Sequence, residues 1–494
     1  MKKALCIALG LLMLGSVFLA ACGEETAGKD VSATASSEGN GLHVADVPIV
    51  NFGGRTLAFL TCGVNPTYES EIVYNENTER MSTVVNDAIQ RRNQVVEERF
   101  NVEIKEIYVY DLKRKNGEFA ETIRRNAAAG TNDFQVVVPC IYDGATLAAG
   151  GYLHDLFTVP YLDMSKPWWD QAFNKELTIN NKLYFTVGDI GVINKGATAA
   201  LMFNKQLIKD HNLDDPYELV KNHKWTMDKV FTMAKTIGQD LDGDGRITYR
   251  DSMGWSGQLD DMWALFYGSG ERIAKIGSDG YPMLTMYNER SVRVIDKMLD
   301  LVHDDEHYLN ANDYFNEAQW PVSLTIKPFL EGRCLFFSAN INSTDSLVEM
   351  EDDFGIVPVP LFNEEQESYH SLINPWVSTC FAIPSTVDGE ELEFTGIILE
   401  SLAAESRNHV YPAYYEVALK YQKTRDDDSI AMLDLIFTTR GCDIGIIYAW
   451  GGLDVALQSL ESKPRDSFAS TYDALKDAAQ SQLEQTVNFY KEFQ

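Results

Sequence analysis

The sequence predicts an α/β protein with a parallel sheet, divided into more than one domain. Apolar runs of strand length alternate with amphipathic stretches of helical period between about residues 56 and 138. Strands separated by helices pair in parallel, with helices on both faces. Glycine and proline bound the first run, at Gly53-Gly54, Gly63 and Pro66, which gives it the length of one buried strand. With 45% hydrophobic residues in 494, the chain can bury more than a single core.

Taken in order, the chain opens with Lys2 and Lys3, an apolar run from Ala4 to Phe18, and then Leu19-Ala20-Ala21-Cys22. A basic start, an apolar stretch and small residues before a cut make a secretory signal. The cysteine directly after them resembles the bacterial lipobox, in which the thiol is diacylated and becomes the new N-terminus. Residues 1–21 are therefore expected to be a lipoprotein signal peptide and Cys22 the lipidated residue, with the body anchored to the outer face of the cell membrane. The run is shorter than the about 20 apolar residues a spanning helix needs. Residues 22–47 are small and polar, and such a segment buries too little apolar surface to offset its ordering entropy. They read as a flexible tether.

A net charge of -31 argues against nucleic acid, whose binding depends on clustered Lys and Arg, and against broad docking on an anionic membrane. Cys62, Cys140, Cys334, Cys380 and Cys442 sit among apolar or small neighbours with no C-x-x-C pair, and are expected as buried free thiols.

The folded part begins with the strand Thr56–Thr61. An amphipathic helix follows over Met81–Arg99, where Val84, Val85, Ala88, Ile89, Val95 and Val96 recur at helical spacing. Val102–Ile107 alternates strictly and reads as a strand, Glu118–Ala129 as a helix and Phe134–Val138 as a strand. Ligands of such sheets sit beyond the carboxyl ends of the strands, which points to the loops Cys62–Tyr68 and Cys140–Asp143.

Asp133-Phe134-Gln135-Val136-Val137, Gly150-Gly151-Tyr152-Leu153-His154-Asp155-Leu156, Asn181–Phe185 and Ala200–Lys205 then follow one another. Trp225-Thr226-Met227-Asp228, Phe329-Leu330-Glu331-Gly332-Arg333 and Gly355-Ile356-Val357-Pro358-Val359-Pro360 complete the series. Their order and spacing over roughly residues 50–450 resemble the solute-binding proteins of ABC importers, and most of all the carbohydrate-binding lipoproteins of Gram-positive bacteria. The resemblance implies a two-lobed, periplasmic-binding-protein-like α/β fold, with crossover strands between the lobes and a ligand cleft closed by hinge motion. It places lobe one at 48–190 plus 334–385 and lobe two at 191–333 plus 386–494. It also implies a monomer that passes its solute to permease subunits, with no catalytic residue.

Sugars present apolar faces to flat rings while their hydroxyls seek carboxylates and amides. The ligand-binding candidates are Tyr68, Tyr142, Trp255, Trp376 and Trp450 among the aromatics, and Asp189 and Asn340 among the polar residues, with Trp263, Asn65 and Asp143 behind them. A partly buried packing role is the alternative for each ring. Asp189 falls where the chain would cross between lobes.

Asp240, Asp242, Asp244, Thr248 and Asp251 occupy loop positions 1, 3, 5, 9 and 12, with glycine at 6 and the Arg246 carbonyl at 7. That spacing wraps one hard cation, so a structural Ca2+ is expected, with a solvated acidic turn as the alternative. Asp251 replaces the glutamate of EF-hands and resembles dockerin-type loops. His303-Asp304-Asp305-Glu306-His307 matches a zinc protease pattern but lacks a third ligand. Two other functions stay open: a secreted carbohydrate-active or metal-dependent hydrolase, and a lipoprotein presenting a ligand to a sensor.

Overall fold

The structure, a computed structural model, describes residues 41–494 except 64–69, 76–82, 116, 349, 421–426 and 493–494, and the backbone alone of 416–420. Cys22, Asn65 and Tyr68 lie outside the described residues.

The first sheet is built from β1 (Arg55–Gly63), β2 (Val102–Tyr110) and β3 (Val136–Val138), connected through α1 (Thr83–Phe100) and α2 (Glu118–Ala129). β1 lies between β2 and β3 and runs parallel to both, as the alternation predicts. Leu57, Phe59, Leu60 and Cys62 of β1 are all buried, as a parallel central strand covered on both faces requires. Residues 140–143, expected as a loop, instead enter α3 (Ile141–Ala149), which carries Tyr142 and Asp143 in its first turn.

The second sheet draws on β4 (Ala199–Asn204), β5 (Gly238–Gln239), β6 (Ser252–Gly257), β9 (Tyr308–Asn310), β10 (Cys334–Asn340) and β11 (Phe354–Val357), with the hairpin β7 (Ala274–Ile276) and β8 (Pro282–Leu284) standing apart. Its order is β11-β4-β10-β6-β5, and β9 also pairs with β6. β10 fills the slot between β4 and β6, placing Phe336 opposite both Phe203 and Trp255. Residues 334–357 belong with the second sheet, because only β10 supplies the backbone partners that β4 and β6 need at the centre.

Two segments connect the sheets, 184–198 outward and 373–384 in return. Thr186 bridges Phe381 and Thr198 bridges Ile373, both antiparallel, so the crossings run side by side. Ala382 and Thr379 bridge Val137 and Cys140 of the first lobe. Buried Glu71 ties both crossings together. Its carboxylate accepts from the backbone N–H of Val192 (2.8 Å) and Ile193 (2.9 Å) on one, and from Thr379 Oγ1 (2.6 Å) on the other. Buried Arg92 donates to the Ile190 and Ile72 carbonyls (3.0 and 2.6 Å).

The chain past residue 386 was expected to complete lobe two, yet the helix Gly389–Lys420 lies along α1. Val410 packs with Val85, Ile89 and Val192, so this helix covers an apolar face of α1 and belongs to the first lobe. The last helix, Ser467–Glu492, packs over Trp450. All five cysteines of the folded part are buried free thiols, as expected.

Candidate functional site

A pocket open to solvent lies where the second sheet meets the crossing segments. Ala199–Leu201 of β4, Trp255 of β6, and Ser338–Asn340 of β10 form its floor, and the helix Asp261–Gly268 brings Asp261 and Trp263. Asn374 enters from the return crossing, with its backbone N–H on the Ala197 carbonyl (2.8 Å).

Trp255 is held flat by its own polar edge. Nε1–H donates to Ser338 Oγ (2.9 Å) and Asp261 Oδ2 (3.1 Å). Asp261 also accepts from Ser338 Oγ (2.7 and 2.6 Å) and Tyr308 Oη (3.1 Å). Burial pushes its carboxyl up to about 7 against those donors, and the neighbouring charge of Asp260 pushes the same way. Gly257 makes this geometry possible: a Cβ there would meet Asp261 Oδ2 at 1.9 Å.

Asp260 accepts from Asn374 Nδ2 (2.8 Å) and Gln458 Nε2 (2.7 Å). Part of the residue still reaches solvent, but packing around the carboxyl desolvates it and raises it to about 6. Asn374 also accepts from the Trp376 backbone N–H (3.0 Å), linking this acid to a second group of rings.

That group sits on the first lobe. Trp376 is 44% exposed, and Tyr142 meets it edge to face at 6.3 Å between centroids. Arg114 lies over the Trp376 ring and donates to the Asp111 and Trp376 carbonyls (2.7 and 2.9 Å). Lys115 lies 5.0 Å from the Tyr142 ring centroid and 3.8 Å from Asp454 Oδ2. Burial raises Asp454, and Lys115 counters it.

Of the residues singled out from the sequence, the structure brings Trp255, Trp263 and Asn340 to the pocket, while Tyr142 and Trp376 pack edge to face outside its lining. Asp189 stands in the crossing, as its position predicts, but its carboxylate is engaged by Lys195 (2.9 Å) and Arg407 (3.0 Å). It braces the crossing and does not line the pocket. Trp450 is likewise a packing residue, buried with Nε1–H on Thr486 Oγ1 (2.9 Å) and stacked on Tyr448. Asp143 accepts from the Lys115 backbone N–H (2.7 Å). Asp260, Asp261, Asn374 and Gln458 were missed. The Asp260-Asp261 doublet reads in sequence as ordinary helix-start acids.

At the acidic loop, carboxylate oxygens of Asp240, Asp242 and Asp244 lie within 4.8 Å of one another. Asp240 accepts from the backbone of Gly243 and Gly245 (2.7 and 2.8 Å), and the Arg246 N–H donates to Asp244 (2.9 Å). Asp251 stands apart from these three. It is fully buried and accepts from Leu241 N–H (2.9 Å), Thr248 N–H (2.8 Å) and Thr248 Oγ1 (3.0 Å), stapling the loop ends. His307 Nδ1 is paired with Asp304 (2.8 Å), and no group of potential metal ligands among the described residues includes either histidine of that motif.

No protein-family model and no curated protein matches this sequence. Solved structures do. An ABC substrate-binding protein from Listeria monocytogenes in complex with cycloalternan matches at a TM-score of 0.55 and 12% identity, over 88% of this chain and all (100%) of its own. A maltose/maltodextrin-binding domain from Bdellovibrio bacteriovorus bound to maltotriose gives 0.53 and 14%, over 88% and 100%. The GacH receptor of Streptomyces glaucescens, described with acarbose, gives 0.51 and 14%, over 89% and 100%. The fold is the two-lobed one of substrate-binding proteins. The paired crossings join its two sheets, and the pocket lies beside them.

Proposed function

We propose that this protein captures a carbohydrate in the pocket between its lobes and passes it to the permease of an ABC importer. The observation that carries the reading is the pocket itself, where Trp255 and Trp263 stand among the carboxyl and amide groups of Asp260, Asp261, Asn340 and Asn374, with the exposed ring of Trp376 two residues beyond Asn374. Rings stack on the apolar faces of a sugar, and fixed polar groups orient its hydroxyls. The structural neighbours in complex with cycloalternan, maltotriose and acarbose support the same ligand class. Binding energy goes into closing the lobes about the crossings, so no group has to act on a transition state.

The rest of the proposal is cellular. Lipid on Cys22 and the following tether hold a monomer at the outer face of the membrane. No described helix is long and apolar enough to cross a membrane. Asp240, Asp242 and Asp244 would hold a structural Ca2+, whose oxygen preference their convergent carboxylates fit.

The test is a thermal-shift screen of the purified protein against mono- and oligosaccharides and peptides, followed by recovery of the ligand. A ligand that binds only the folded state raises the melting temperature by mass action. A saturable rise with one sugar class, and that sugar recovered intact, is expected. Response to peptides alone, or a sugar recovered cleaved, would overturn the reading.

A further inference from the structure

We propose that the solute is cationic, a sugar bearing a protonated amine, held by an acidic group that gathers around the pocket. This rests on the carbohydrate reading above and narrows it.

Asp260 and Asp261 line the pocket, and Asp454 and Glu461 lie near them outside its lining. Asp260 lines it, Gln458 joins Asp260 to the helix Leu453–Ser459, and Trp263 Nε1–H donates to the Asp454 carbonyl (2.8 Å). The hydrogen bonds that Asp260, Asp261 and Glu461 receive come from neutral donors: Asn374 and Gln458 at Asp260, Ser338, Trp255 and Tyr308 at Asp261, and Asn310 at Glu461, while Asp454 faces Lys115. Among the described residues no cation stands near Asp260 or Glu461.

Three buried acceptor atoms of the same cluster have no partner: Asp454 Oδ1, Glu461 Oε2 and Tyr142 Oη. Tyr142 is only 2% exposed, and its phenol lies within range of the charges of Asp454 and Asp260. Buried polar atoms are nearly always paired, so the unpartnered carboxylate oxygens of Asp454 and Glu461 mark a missing donor. The other charged groups facing the cluster are Arg114 and Lys115 in the first lobe, with Asp143 behind them and Asp313 beside Glu461. Arg114 is engaged by two carbonyls and the Trp376 ring, and Lys115 reaches Asp454 only at 3.8 Å. The acids outweigh the cations.

A hydroxyl could donate one hydrogen bond here and would leave the charge uncompensated. An ammonium brings three donors and a full positive charge to acceptors already fixed in place. The exposed ring of Trp376 attracts a cation as well as an apolar sugar face. A net charge of -31 draws cationic solutes toward the protein from a distance.

The experiment is calorimetric titration of the full chain with a glucosamine tetramer and, separately, with the same tetramer fully N-acetylated. The free-amine tetramer is expected to bind at least about tenfold more tightly near neutral pH, with the advantage shrinking as salt rises. Its affinity rises from pH 5 to pH 7 as the acids ionise, with protons released on binding. Asp260→Asn and Glu461→Gln each cut that advantage several-fold, read as the ratio of the two tetramers' affinities within each variant, and their melting curves report folding separately. Equal or tighter binding of the acetylated tetramer would overturn the cationic assignment while leaving the carbohydrate reading standing. Absence of binding by these tetramers and by every neutral sugar of the thermal screen would overturn both.

Discussion

Asp261→Asn tests how much the pocket costs the fold. In the wild type the carboxyl is 4% exposed and raised from an ordinary 3.8 to about 7 by burial. A rise of about 3, at about 1.4 kcal/mol for each step of ten in the equilibrium, corresponds to roughly 4 kcal/mol. Asp260 titrates alongside and shares part of that, so the separable effect of Asp261 is between about 2 and 4 kcal/mol. The folded state holds the proton more tightly than the unfolded chain does. Stability is therefore fully present below about pH 4 and is lost as pH rises to about 7, where the folded carboxyl ionises. Asparagine carries no proton to lose. The stability gap between variant and wild type should move in favour of the variant by about 2 to 4 kcal/mol between pH 4 and pH 8. Denaturant unfolding of both proteins across that range measures it, and other titrating groups cancel in the difference. A gap that stays constant with pH would refute the claim that Asp261 is buried as an acid. Infrared difference spectra at pH 6 supply a second check, since the protonated carboxyl band of the wild type should lose intensity in the variant, with Glu400 and Glu461 still contributing to both.

Three further outcomes are expected. Gly257→Ala drives a Cβ into Asp261 Oδ2 at 1.9 Å, so overpacking should destabilise by about 1–3 kcal/mol and cost ligand affinity, read by unfolding and by calorimetry. Glu71→Ala leaves Val192 N–H, Ile193 N–H and Thr379 without their acceptor and Arg92 without its buried counter-charge; a loss of about 3–5 kcal/mol is expected in the same unfolding assay. Added Ca2+ should raise the melting temperature and chelator should reverse it, with Asp242→Asn abolishing the response; no shift at millimolar Ca2+ would remove the cation from the loop.

The parallel sheet was legible because Thr56–Thr61 and Val136–Val138 are continuous apolar runs, and only strands covered on both faces are written that way. Trp255 and Trp376 were singled out at predicted loop positions, but Trp255 lies buried within β6 and Trp376 alone of the two is exposed. The assignment of β10 was not legible. Cys334–Phe337 is equally apolar for either sheet, and only the gap between β4 and β6 decides which one receives it. Asp189 and Trp450 show the same limit from the other side. A carboxylate at a crossing and an indole before two glycines look available in sequence, and only folding reveals Lys195, Arg407 and Thr486 as their partners. The acids at 260 and 261 were hidden for a related reason, since their meaning comes from Asn374 and Gln458, each more than 100 residues away in sequence.

The packing of the helix Gly389–Lys420 on α1 sets the timetable of biogenesis. The first lobe is not a contiguous stretch of chain. Its early strands emerge about 290 residues before the helix that covers them, and at 5–20 residues per second the wait is roughly 15–60 s. Through that interval the apolar flank of α1 with Val85 and Ile89 has no native cover, so a newly emerged N-terminal half is an open hydrophobic surface rather than a finished module. Truncations that keep only residues before 389 should therefore aggregate, and the molecule matures in effect from its C-terminal third backward.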